Sequence, residues 1–156
     1  LFQLMAGKPV CIRLFDPPLH EFLPHNREDL RDLAAAIGLS VSKVTRRAEA
    51  LAEFNPMLGM RGVRQGIAIP EIYEMQARAI FEAACEVAEA SGEAPIPEVM
   101  VPLVGTKREL ELMKVVIDEA AEAVFEEKGS RVEYLVGTMI ELPRAALRAD
   151  DGHRSR

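Results

Sequence analysis

Apolar residues along this chain fall into two textures. Short, almost unbroken runs, PVCIRLF (9–15), PEVMVPLVG (97–105) and VEYLVGTMIE (132–141), alternate with longer stretches where apolar positions recur every three or four residues. The first texture predicts strands buried on both faces, the second amphipathic helices. One helix is expected over about 27–37, opening at Asn26 with acids in its first turn and stopping at Gly38; another over about 42–53 has Ser40 or Ser42 as its cap. The strongest covers 71–91, with Ile72, Met75, Ile80, Ala83, Ala84 and Val87 forming the apolar stripe and Gly92 the stop. A further helix opens at Thr106, which forms a capping box with Glu109, and Pro143 marks the start of a last one.

Strands of this kind separated by helices imply a parallel sheet, hence an α/β fold, either doubly wound or a (β/α) barrel. A complete eight-fold barrel takes about 250 residues. The 156 residues here have room for roughly half of one. The opening LFQLMAGK reads as the last turns of a helix and the closing DDGHRSR as polar and aperiodic, so the chain is expected to be a piece of something larger.

The segment NPMLGMRGVRQG (55–66) breaks the pattern by setting Arg61 and Arg64 among Gly59, Gly62 and Gly66. Glycine lets a backbone approach closely, and a guanidinium fork suits a small anion. The alternative is that the arginines brace the loop by bonding its carbonyls. Arg13 poses the same choice, since an arginine in an apolar strand is costly to bury unless it pairs with an acid such as Asp16 or meets an anion. Ligands of parallel α/β folds lie at the carboxyl ends of the strands. That rule draws Arg13, the loop arginines, Thr138 and Glu141 into one constellation. Arginines neutralise a phosphoryl group and a carboxylate holds Mg²⁺, so the set fits a small phosphate ester with a metal.

Charge and composition narrow the classes. A net charge of −6 without a basic stripe argues against nucleic acid. No apolar run approaches the roughly 20 residues that cross a membrane, and no signal peptide is visible. Cys11 and Cys85 lack partners at metal-ligand spacing and read as reduced, buried thiols of a cytoplasmic protein. Neither a Walker A loop nor GxGxxG follows a strand; His20 has no triad partner, His25 caps or precedes a helix, and His153 lies in the tail.

PVCIRLFDPPLHEFLPH, NPMLGMRGVRQGI, PEIYEMQARAIFEAA, PEVMVPLVGT and YLVGTMIELPRAAL closely resemble consecutive blocks of the pyruvate, phosphate dikinases. They fall in that family's C-terminal phosphoenolpyruvate/pyruvate-binding domain, a (β/α)8 TIM barrel. The resemblance implies a partial barrel over residues 1–150, roughly half of one, with parallel strands and outer helices, followed by a non-matching tail at 151–156. It implies that Arg13 and Arg61 contact the substrate's phosphoryl end, that Glu141 is a Mg²⁺ ligand, and that Met139 lies beside the substrate; Arg64 braces the loop. It also implies the family reaction, in which pyruvate, ATP and phosphate interconvert with phosphoenolpyruvate, AMP and pyrophosphate through a phosphohistidine on a mobile domain.

Several family features have no counterpart in these residues: a TNDL-type second Mg²⁺ ligand, the catalytic cysteine, a third arginine, and the phosphohistidine and ATP-binding domains. Neither Cys11 nor Cys85 lies in the glycine-rich context of that cysteine, and the usual RLG reads RQG at Gln65. No catalytic residue is therefore expected in the segment, which should be inactive alone. The alternatives are a segment of the sibling phosphoenolpyruvate synthase, or a stand-alone binding module whose open strand edges pair into a homodimer.

Overall fold

A computed structural model of the chain describes residues 1–52 and 55–150. The chain divides into two compact units, Leu1–Asp16 together with the chain from Gly62 onward, and Pro17–Arg61. The expected tail at 151–156 and residue 53, the expected end of the second helix, lie outside the described residues.

The first unit is built on a parallel sheet of β1 (Val10–Arg13), β2 (Pro97–Val101) and β3 (Leu135–Thr138), in that spatial order. Arg13 stands opposite Met100, and Met100 opposite Gly137, so the carboxyl ends of the strands are level. Two long helices, α4 (Pro70–Ser91) and α5 (Lys107–Lys128), pack against each other and against the sheet. Between them and the strands lies a core that includes Val99, Val101, Phe81, Ile117 and Val124. Phe81 meets Phe125 and Tyr134 edge-on, with centroids 5.7 and 4.8 Å away, geometry that adds to simple burial.

These observations establish an α/β fold with parallel strands, but the expected burial on both faces holds at neither edge strand. The face bearing Cys11, Arg13, Met100 and Leu135 is exposed or half-buried, and Leu135 is 60% exposed. Cys11 is consequently exposed rather than buried; Cys85 is buried as expected, and both thiols are free. The strands are also shorter than the apolar runs. β2 stops before Leu103, whose φ of 61° turns the chain into the left-handed region.

Helix ends follow the local signals. Gly92 and Gly129 adopt left-handed conformations past α4 and α5, and Thr106 and Glu109 complete both bonds of the capping box. The face of α4 is turned slightly from the expected stripe. Tyr73, Ala77, Ile80, Phe81, Ala84 and Cys85 are buried, whereas Met75 is exposed. A short α3 (Gly62–Ala68) precedes α4, and α6 (Pro143–Leu147) starts at its proline. The second half of the arginine–glycine segment is therefore helix, not loop.

In the second unit, α1 (Arg27–Ile37) is capped by Asn26, whose side chain accepts from the Asp29 amide at 2.8 Å, and Gly38 ends it with φ 67°. Its neighbour α2 (Val41–Leu51) has Ser40 at the cap position without a side-chain capping bond. One 3₁₀ turn covers Leu19–Phe22, and a second, Pro56–Leu58, leads to Gly59 and Met60. Among the described residues, no helix of either unit is long and apolar enough to cross a membrane.

Candidate functional site

Several polar groups of the first unit lie at the carboxyl ends of the three strands. Arg13 ends β1 with its side chain half exposed, and one guanidinium nitrogen lies 3.4 Å from an oxygen of Asp16. Asp16 itself is 4% exposed. Both open readings of Arg13 thus have a structural basis: the ion pair exists, and the half-exposed guanidinium retains donors for an anion.

Gly62 lies close to Asp16. Its φ is 54°, and a Cβ built there would lie 3.1 Å from an Asp16 oxygen and 2.9 Å from the Leu103 Cβ. The next residue, Val63, donates its amide to the Pro102 carbonyl at 3.0 Å. The start of α3 is thereby locked onto the exit of β2. Leu103 in turn gives its amide to Glu141 Oε1 at 2.7 Å, while Thr138 bonds the Val101 carbonyl at 2.8 Å. Arg13, Asp16, Gly62, Leu103 and Glu141 form one continuous chain of contacts along the strand ends.

The remaining expected residues are placed less tightly. Met139 follows β3 half-buried, with its carbonyl accepting from the Thr138 hydroxyl at 3.3 Å. Arg64 is half-buried in α3. Arg61 belongs to the second unit, where its guanidinium contacts the Met57 sulfur at 3.7 Å. Gly66, like Gly62, is needed for packing: a Cβ on Gly66 would come within 2.7 Å of the Tyr73 ring and the Met113 sulfur. Close approach is needed, as the sequence suggested, but the partners here are protein atoms.

Gln65, in the RQG position, is fully buried, and neither atom of its amide finds a hydrogen-bond partner among the described residues. Such a group costs about 1–3 kcal/mol. For Mg²⁺, no cluster of three or more metal-type side chains occurs among the described residues. Glu141 offers one exposed carboxylate with an oxygen already bonded to Leu103. That fits an ion held through one or two carboxylates and substrate oxygens, not a closed protein cage.

Two side chains at the site escaped the sequence reading, Tyr73 and Gln76. The Tyr73 hydroxyl donates to the Phe15 carbonyl at 2.9 Å. The Gln76 amide accepts from Phe15 N at 2.7 Å and donates to the Arg13 carbonyl at 3.3 Å. Burial, with the Asp16 charge adding to it, holds the Tyr73 hydroxyl well above its ordinary pKa, so it stays a donor. Their three-residue spacing on α4 was the available signal, since it puts both on one face.

The three-stranded parallel sheet with helices packed on it defines the α/β class, and the sequence makes that class specific. The chain belongs to the PEP-utilising enzymes, whose PEP-binding domain model matches residues 1–155. Among particular relatives, the pyruvate, phosphate dikinase of Rhizobium meliloti (strain 1021) is 55% identical over 150 residues, which cover 96% of this chain and 17% of that protein. The pyruvate, phosphate dikinase of Clostridium symbiosum is 50% identical with the same coverage. The chloroplastic pyruvate, phosphate dikinase 1 of Arabidopsis thaliana is 56% identical over 153 residues, 97% of this chain and 16% of that protein. The chain thus spans about a sixth of the length of these relatives.

Proposed function

We propose that this chain is the part of a pyruvate, phosphate dikinase that holds the phosphoryl and metal end of phosphoenolpyruvate. The observation that carries the proposal is the contact chain from Arg13 through Asp16, Gly62 and Leu103 to Glu141 at the carboxyl ends of parallel strands. Arg13 supplies a half-exposed guanidinium, and buried Asp16 restrains it without covering it. Glu141 is the carboxylate for Mg²⁺, which when bound neutralises phosphoryl charge. Met139 borders the substrate. Arg61 is assigned to the same phosphoryl group by resemblance.

The fuller architecture belongs to this reading too. A parallel sheet with helices on one face and an exposed arginine-bearing face is what a slice of a (β/α) barrel presents. In the whole enzyme a phosphohistidine would exchange its phosphoryl group with pyruvate at this site. A cytoplasmic location accords with two free thiols.

Calorimetric titration of the chain with phosphoenolpyruvate, with and without Mg²⁺, tests the proposal. Mg²⁺-dependent binding is expected, weakened about tenfold or more, roughly 1.4 kcal/mol, by Arg13→Ala or Arg61→Ala. Binding that is indifferent to both substitutions and to Mg²⁺ would refute it.

A further inference from the structure

We propose that Gln76 and Tyr73 are positioning residues that fix the backbone of Arg13–Asp16, Gln76 doing so by standing in for a residue of a neighbouring strand. In a parallel ladder, a residue donates its N–H to the carbonyl of residue i and accepts at its own carbonyl from the N–H of residue i+2. The Gln76 carboxamide reproduces that pattern on β1. Its nitrogen donates to the carbonyl of Arg13 and its oxygen accepts from the amide of Phe15. The inner side of the same segment is held by true ladder geometry, with Leu14 N donating to the Met100 carbonyl at 2.9 Å.

Arg13 and Phe15 point their backbone groups away from β2, where a sheet edge would leave them to water. An amide carried on α4 takes that place, and Tyr73, one turn earlier, bonds the Phe15 carbonyl that the Gln76 amide leaves over. Three backbone groups around the Arg13–Asp16 pair are thus tied to one helix face. Both side chains of the pair depart from a backbone held on two sides, one by a strand and one by a helix. A guanidinium set on such a rigid element meets an anion with less ordering cost than one on a free edge. Gln76 and Tyr73 touch no reacting atom in this scheme. They act through Arg13.

Two readouts test this. The first is amide hydrogen exchange, which needs no ligand. In Gln76→Met the Phe15 amide should exchange about tenfold faster, whereas the Leu14 amide keeps its protection. Gln76→Leu, which removes the same bond, serves if Gln76→Met does not fold, and Tyr73→Phe, which frees the Phe15 carbonyl but leaves its amide on Gln76, should speed Phe15 less. Unchanged exchange at Phe15, or equal loss at Leu14, overturns the proposal, the latter by showing general loosening of the strand.

The second readout rests on the function proposed above and is a double-mutant cycle on phosphoenolpyruvate affinity. Gln76→Met should weaken binding several-fold, on the order of fivefold, in the wild-type chain and leave it unchanged when Arg13 is already alanine. Equal losses in both backgrounds would remove the link through Arg13. If the wild-type chain binds no phosphoenolpyruvate, the proposed function fails for this chain, while the exchange data still decide the strand substitute.

Discussion

At the scale of single residues, the two tyrosines carry a pH dependence that the sequence alone did not suggest. Tyr73 is buried beside Asp16, and Tyr134 is half-buried with its hydroxyl donating to Asp118 at 2.8 Å. Burial first, and these neighbouring carboxylates second, raise both pKa values above the ordinary 10.0. The folded chain therefore keeps protons that the unfolded chain releases above pH 10.0, so this stability is complete below that pH and is lost as pH rises. The chain has only these two tyrosines and no tryptophan, which makes tyrosinate absorbance a direct probe. Ionisation should coincide with loss of helical circular dichroism in an alkaline titration. Tyrosinate appearing near pH 10.0 in a chain that is still folded would contradict the burial described here.

Elements show where sequence signals suffice and where they do not. Asn26, Gly38, Gly92 and Thr106 with Glu109 each set a helix end through contacts within a few residues, so both ends of α1, the end of α4 and the start of α5 were legible. The start of α3 was not. Three glycines and two arginines read as an anion loop, yet the chain enters a helix at Gly62 because Val63 bonds Pro102 and Leu103 packs close by, some 40 residues along the chain. The same holds for the clamp on β1, whose hydrogen bonds span 58 to 63 residues. Arg13 and Asp16 could be paired from their spacing, whereas the bond from the Leu103 amide to Glu141 could not. Gly62→Ala tests how firmly α3 is locked. Its positive φ and the 2.9 Å approach to Leu103 should cost about 1–3 kcal/mol in urea unfolding. Gly137→Ala, on the open sheet face with no atom near its Cβ, should shift stability by about 0.5 kcal/mol or less. Equal shifts in the two variants would mean that the contact at Gly62 is not tight.

For the molecule as a whole, the two units differ in how much apolar surface they bury, and their stabilities should differ accordingly. The sheet unit has a continuous core running from Phe2 to Val132. In Pro17–Arg61, Ala34 is the buried side chain of α1 and Val44 that of α2, while Phe22, Ile37, Leu39, Met57 and Leu58 are exposed. Burial of apolar surface at about 25 cal/mol per Å² is the main term opposing chain entropy. A unit with two such side chains on its helices gains little from it. Short helices of 11 residues are themselves marginal without packing. Amides of α1 and α2 should therefore exchange through local opening, at a free energy below that of global unfolding, while core amides of α4 and α5 exchange only with the whole. Native-state exchange in rising denaturant separates the two behaviours. The α1 and α2 amides should show little denaturant dependence, and those around Phe81 and Ile117 a steep one. A common steep dependence would mean that Pro17–Arg61 unfolds only together with the sheet, and that burial within each unit does not govern its stability.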